Sequence, residues 1–171
     1  MPEYNIEHIC FLTEGQKDEL AEAITRIHST TFGTPKMFVN VKITDTSEGN
    51  LYVGGKRRRT NRIFAYVRPG PSRTQKDYES VSNQIVAEWD KIVPLPQVQR
   101  SLPKPDQSLN LIMFFGCLVA GYEAGFMIPQ AGEDQEWFKD NLAAFQAKAD
   151  AGDENFKEMI EECKERGFKL V

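Results

Sequence analysis

The fold turns on residues 2–44, PEYNIEHICFLTEGQKDELAEAITRIHSTTFGTPKMFVNVKIT. The hydrophobic period changes twice along this stretch. From Tyr4 to Leu12, Tyr4, Ile6, Cys10 and Leu12 share one face, with His8 among them, while Asn5 and Glu7 point away. That alternation predicts a strand. Thr13 and Gln16 then stand at capping-box spacing, and Leu20, Ile24, Ile27 and Thr31 recur at helical intervals. Gly33 and Pro35 stop the helix. Met37, Val39, Val41 and Ile43 return to period two and predict a second strand over 37–44. The stretch reads strand, helix, strand.

The same order recurs downstream. After a polar, turn-rich segment at 45–50, Leu51–Val53 is a short extended piece ending in Gly54-Gly55. Ile63–Val67 reads as a strand. Thr74 is placed to cap a helix, with Asp77 behind it, and Tyr78, Val81, Ile85, Trp89 and Ile92 form its apolar stripe. Pro94 and Pro96 end that helix, a polar loop with prolines follows, and Leu109–Phe115 is an apolar run that reads as a strand buried on both faces. Two β-α-β units predict an α+β fold: a four-stranded sheet with both helices on one face. Right-handed crossovers make the strands within each unit parallel. Beyond a turn at Gly132–Asp134, Trp137, Leu142 and Phe145 mark one helix. A break at Ala149–Asp153 precedes a second, marked by Phe156, Met159, Ile160 and Cys163 and ending at Gly167. These faces read as sparse and charged, which predicts packing on the outside or on a neighbouring subunit. We expect one domain over 1–171, with a core at 2–140 and a helical extension at 141–171.

The chain has 171 residues, 40% hydrophobic and 27% charged, with a formal net charge of −4. That length suits one core, and the acidic balance argues against a nucleic-acid binder. No apolar run is long enough for a membrane span, and no signal-peptide pattern opens the chain. Cys10, Cys117 and Cys163 show neither metal spacing nor a disulfide framework. A cytoplasmic setting is expected, with no metal and no organic cofactor implied.

Several residues can carry chemistry, and each also has a plain structural reading. Pro2 follows the initiator Met, so removal of Met1 would expose a secondary amine. Free α-amino groups titrate at about 7.7–8.0; burial or a nearby cation lowers that value and a carboxylate raises it. Either state suits proton transfer. Many chains begin Met-Pro with no consequence, but here a strand follows at once and would fix Pro2 at a sheet edge. His28 lies on the apolar stripe of the first helix, either as a satisfied core histidine or as a hydrogen-bonding group; His8 is left as structural. Arg68 and Arg73 flank Pro69-Gly70-Pro71, and read either as surface arginines on a loop or as a fork for a substrate carboxylate. The basic run Lys56-Arg57-Arg58-Arg59 reads as a solvated hairpin tip, with attraction of anionic substrates the next reading. Glu123 stands beside the last core strand, as a base or as an exposed turn carboxylate.

Taken together, several segments have a familiar order: the N-terminal Pro, AITRIHSTTFGT (23–34), LYVGG (51–55), RIFAYVRPGPSRT (62–74) and YEAGFMIPQAGEDQEWF (122–138). This pattern resembles the cis-3-chloroacrylic acid dehalogenase family of the tautomerase superfamily, over about residues 2–140. The resemblance implies the tautomerase (MIF-like) fold, homotrimers and a pocket at the end of each sheet. It gives Pro2 the role of transferring a proton at carbon. It gives His28 a part in binding substrate or orienting water, Glu123 the activation of water, and Arg73 a carboxylate clamp. Two positions depart from the pattern. Gly70 stands where the first of two family arginines belongs, so Arg68 replaces it only if the loop is reshaped. Phe114 stands in place of a tyrosine and offers an apolar wall without a hydroxyl.

The leading expectation is proton transfer on a small anionic organic acid, such as tautomerisation of a 2-oxo acid. Pro2 moves the proton, while Arg73, with Arg68, holds the carboxylate. A second is hydration or dehalogenation of a 3-haloacrylate, with Glu123 and His28 activating water. A third is a non-catalytic relative that binds a ligand or partner, which a retained Met1 would favour.

Overall fold

In the computed structural model, which describes residues 1–94 and 107–168, the two β-α-β units are present. The first comprises β1 (Glu3–His8), α1 (Glu14–Phe32) and β2 (Asn40–Asp45). A hairpin of β3 (Leu51–Val53) and β4 (Lys56–Arg58) separates it from β5 (Asn61–Val67), α2 (Gln75–Ile92) and β6 (Leu109–Gly116). The sheet order is β2-β1-β5-β6. Strands β1 and β2 are parallel, as are β5 and β6, while β1 and β5 are antiparallel. The proline-containing loop expected before β6, Pro96 included, lies largely outside the described residues.

Local chemistry sets the helix starts. Thr13 and Gln16 form a reciprocal capping box on α1, and Thr74 and Asp77 form one on α2. Each satisfies two orphan donors. Gly33 ends α1 in the left-handed region, at φ 75°, where its amide reaches Ser29 O. Both helices lie on one face of the sheet, where Leu20, Ile24 and Ile27 meet Tyr4, Ile6, Ile63 and Ala65, and Val81, Ile85 and Trp89 close the other half.

Four expectations need correction. The first strand ends at His8 and does not reach Leu12. Cys10 and Leu12 stay buried in the connection, because His8 Nδ1 bonds to Cys10 O at 2.8 Å and folds the chain inward. The second strand begins at Asn40, because Pro35 leads into a 3₁₀ turn at Lys36–Phe38. Strand β6 is not buried on both faces: it is an edge strand, with Met113 and Phe115 exposed. Its outward side chains join Phe64 and Tyr66 on the sheet face opposite the helices, with the Tyr66 and Phe115 rings stacked at 5.3 Å.

The fourth correction concerns the sparse apolar faces expected of the C-terminal helices, α3 (Asp134–Asp150) and α4 (Glu154–Glu165). They pack on their own chain. Phe138, Phe145, Phe156, Met159, Ile160 and Cys163 form a second apolar cluster with Phe38. It covers the hairpin β7 (Tyr122–Glu123) and β8 (Phe126–Met127) through Phe126. Burying a large aromatic contributes up to about 3 kcal/mol, so a few rings replace a long stripe. Arg166 closes α4 onto the first unit, donating to Ser29 O, Ser29 Oγ and Thr34 O. No described helix is long and apolar enough to cross a membrane.

Candidate functional site

The site grows from strand polarity. Because β1 and β5 are antiparallel and each pairs with a parallel partner, one sheet edge collects the starts of β1 and β2 and the ends of β5 and β6. Pro2 and Arg68 therefore meet, although they are far apart in sequence. Pro2 is buried, and its carbonyl accepts the Asn40 amide at 3.1 Å.

Met1 carries the terminal amine into this edge. Burial, and next Arg68, lower that amine, Asp134 and Glu123 pull it up and Arg73 again lowers it, which leaves it at about 5. A terminal nitrogen here is a neutral base at pH 7, surrounded by two cations and two carboxylates.

His28, on α1, faces the same edge. Its Nδ1 bonds to the Tyr4 hydroxyl at 2.8 Å, and its Nε2 is buried with no partner among the described residues. Burial, then Arg73, the terminal amine and Arg68, lower it to about 2. The imidazole is therefore neutral, a polar group rather than a cation. The sign of its effect on stability follows. The unfolded state takes up a proton near pH 6.5 and the folded state does not, so this contribution is whole above pH 6.5 and is lost as pH falls below it. Wild-type protein should lose about 2 kcal/mol from this group between pH 7 and pH 5. Urea titrations at both pH values should show His28→Asn losing correspondingly less.

Arg73 is nearly buried. Its guanidinium lies 4.6 Å from the Phe32 ring centroid and donates to Arg68 O at a long 3.4 Å. Its Nη2 is buried with no partner among the described residues. Burial, and next Arg68, hold its pKa below the usual arginine range. An aromatic wall encloses it: Phe32 and Tyr78 at 5.3 Å, Tyr78 and Phe114 at 4.9 Å, Phe114 and Tyr4 at 6.2 Å.

Arg68 is placed differently. It is 3% exposed and spends both terminal nitrogens on protein. Nη1 donates to Pro129 O and Gln130 O at 2.8 and 3.1 Å, and Nη2 to Thr34 Oγ1 and Asp134 Oδ1 at 3.2 and 2.7 Å. Gly70 is closed to any side chain, since a Cβ there would lie 2.8 Å from Ala131 Cβ. The segment around Ala131 thus fills the place where an arginine at 70 would project.

Glu123, on β7, accepts from Asn40 Nδ2 at 3.0 Å through Oε1, while its Oε2 is buried and unpartnered among the described residues. The hairpin that presents it turns at Ala124 and Gly125, with φ of 53° and 102°. Positive φ at both central positions is the pattern of a type I′ turn, which prefers Asn-Gly. Alanine pays about 1–2 kcal/mol there. Ala124→Asn should raise stability by about 0.5–1 kcal/mol, read as a higher urea midpoint with an unchanged slope.

Pro2, His28, Arg73 and Glu123 thus surround one edge, with Phe114 in the wall. Tyr4, Asn40, Tyr78 and Asp134 join them without having been singled out in the sequence. Tyr4 and Tyr78 carried a signal: a phenol on the core face of a strand or helix must find a partner for its hydroxyl. Among the described residues no cluster of His, Cys, Asp and Glu is composed to hold a metal ion.

A four-stranded sheet of paired β-α-β units, with an N-terminal proline entering its edge beside buried arginines, defines a protein of the tautomerase fold. The chain belongs to the family described as "Putative oxalocrotonate tautomerase enzyme", whose model matches residues 1–142. Nothing among curated protein sequences matches it. Among solved structures it is similar to N1, a member of the cis-3-chloroacrylic acid dehalogenase family. That match has 20% identity and a TM-score of 0.62, over 80% of this chain and 90% of that one. It is also similar to MIF2 of Leishmania major (13%, TM-score 0.52, 75% and 97% covered). A third match is the F6 fused 4-OT asymmetric trimer (16%, TM-score 0.51, 66% and 84% covered).

Proposed function

We propose that the chain is an N-terminal-proline-dependent tautomerase acting on a small anionic 2-oxo or unsaturated acid. The observation that carries this reading is the buried terminal amine, lowered to about 5 between Arg68, Arg73, Asp134 and Glu123. Once Met1 is removed, the Pro2 nitrogen is the base at that edge. Arg73 offers Nη2 to the substrate carboxylate, while Arg68, with both terminal nitrogens engaged, contributes charge. The nitrogen takes a proton from C3 of the 2-oxo acid, the C–H electrons form the enolate, and the same proton returns to oxygen to give the enol. The enolate charge develops beside the Arg73 guanidinium. Phe114 and Phe32 keep the edge apolar, which strengthens that interaction.

One observation supports a second reading. Glu123 Oε2 and His28 Nε2 are both buried without partners among the described residues, as two groups that orient and deprotonate a water would be. That arrangement suits hydration or dehalogenation of a 3-haloacrylate. A panel of 2-oxo acids and 3-haloacrylates, on protein whose N-terminal mass shows Met1 absent, separates the two. Enol–keto exchange alone supports the first, and halide release the second. Inactivity on all of them supports a ligand- or partner-binding relative.

The open sheet face fits a homotrimer. Phe64, Tyr66, Met113 and Phe115 leave apolar surface uncovered, a fused 4-OT of the same fold is a trimer by its description, and exposed apolar patches mark contacts. Light scattering at micromolar concentration should give about three times the chain mass. A mass of 19.5 kDa would count against assembly through this face.

A further inference from the structure

One buried charge at the edge has no task in the scheme above. Asp134 is the first residue of α3 and is 6% exposed. Its Oδ1 accepts from Arg68 Nη2 at 2.7 Å, but its Oδ2 is buried and accepts nothing among the described residues. A carboxylate removed from water with half its acceptors idle is costly unless something comes to meet it. Neither member of the pair is free to turn away. Arg68 is fixed by Pro129, Gln130 and Thr34, and Asp134 sits at the positive end of a helix of 17 residues.

We infer that Asp134 is a positioning residue for the terminal nitrogen: its unpaired Oδ2 is the acceptor for the protonated amine, and the Arg68–Asp134 pair is a wall of the proton-transfer site. This rests on the reading of Pro2 as proton carrier and extends it. The amine of Met1 already feels Asp134 more strongly than Glu123. Removing Met1 moves the terminal nitrogen by one residue, about 3.8 Å along the chain, and Pro2 stays fixed by Asn40.

The charged and titratable groups around that nitrogen come from every element packed on the edge. They are Arg68 after β5, Arg73 before α2, Glu123 on β7, Asp134 on α3 and neutral His28 on α1. Two arginines favour the neutral amine and would expel a captured proton at once. Asp134 offsets one of them, so the ammonium persists long enough to return its proton. Glu123, held by Asn40, is left for substrate or water. The two carboxylates thus have separate tasks.

The test is an NMR titration of the Pro2 nitrogen in full-length, Met1-free protein labelled with ¹⁵N-proline. Asp134→Asn should lower the midpoint by about one pH unit or more, and by more than Glu123→Gln does. Arg68→Met should raise it, and Arg68→Met/Asp134→Asn should return it toward wild type. A midpoint unmoved by Asp134→Asn, or moved less than by Glu123→Gln, overturns the inference. So does a double variant that titrates like Arg68→Met. Breaking a buried pair can prevent folding, so the wild-type protein supplies an independent reading. Its Asp134 carboxyl ¹³C resonance should inflect at the Pro2 midpoint, and the absence of that inflection overturns the assignment. Titration needs no substrate. Turnover that depends on Pro2, with Asp134 variants titrating like wild type, defeats this inference alone. Altered titration with no turnover of any acid defeats the functional reading instead.

Discussion

Protein shown by mass to retain Met1 should turn over its best substrate about 10²–10⁴-fold more slowly than Met1-free protein, the usual contribution of general acid–base transfer. The reason is covalent. With Met1 in place the Pro2 nitrogen is a tertiary amide, and its lone pair is delocalised into the carbonyl. The α-amine is then that of Met1. It too is neutral near pH 7, because burial lowers it to about 5, but it lies one residue away from the proline position and alters the space a substrate needs. Pro2→Ala in processed protein keeps an amine at the right residue, so its loss should be smaller. Steady-state rates on the three forms at one pH make the comparison. Equal rates for Met1-free and Met1-bearing protein would rule out the proline mechanism.

That ordering depends on placement the sequence shows only in part. The elements were legible because their signals are local. Thr13 with Gln16, and Thr74 with Asp77, fix helix starts within four residues. The period switch between Tyr4 and Ile43 needs no distant partner. Strand β6 misled because an apolar run reads alike whether another layer or nothing covers its outer face, and here that face leaves Met113 and Phe115 exposed. Helices α3 and α4 misled because Phe138, Phe145 and Phe156 bury much surface with few positions. The site was legible only as isolated candidates. Antiparallel pairing of β1 with β5 brings residues 2 and 68 to one edge, and nothing in either neighbourhood announces it. Asn40 and Asp134 were silent for the same reason. Each looks like an ordinary strand, helix or cap residue until long-range pairing gives it a partner.

The two arginines permit a test in which function and stability part. Arg73→Met should lower kcat/KM for an anionic substrate by about 10- to 150-fold, since a charge-assisted hydrogen bond to a carboxylate is worth about 1.5–3 kcal/mol. The fold should not suffer. Arg73 is a buried cation with an idle Nη2 and no carboxylate against it among the described ion pairs, and an apolar side chain of similar length against Phe32 and Phe114 removes its desolvation cost. Stability should be unchanged or higher. Arg73→Lys should recover only part of the rate, because an ammonium lacks the planar fork. Arg68→Met should behave in the opposite sense for the fold. It leaves Asp134 buried without its cation and frees the carbonyls of Pro129 and Gln130, at a cost of about 3–5 kcal/mol. Urea unfolding and kcat/KM on both variants decide between them. If Arg73→Met destabilised as much as Arg68→Met while leaving KM intact, Arg73 would be a brace and the carboxylate would have to bind elsewhere.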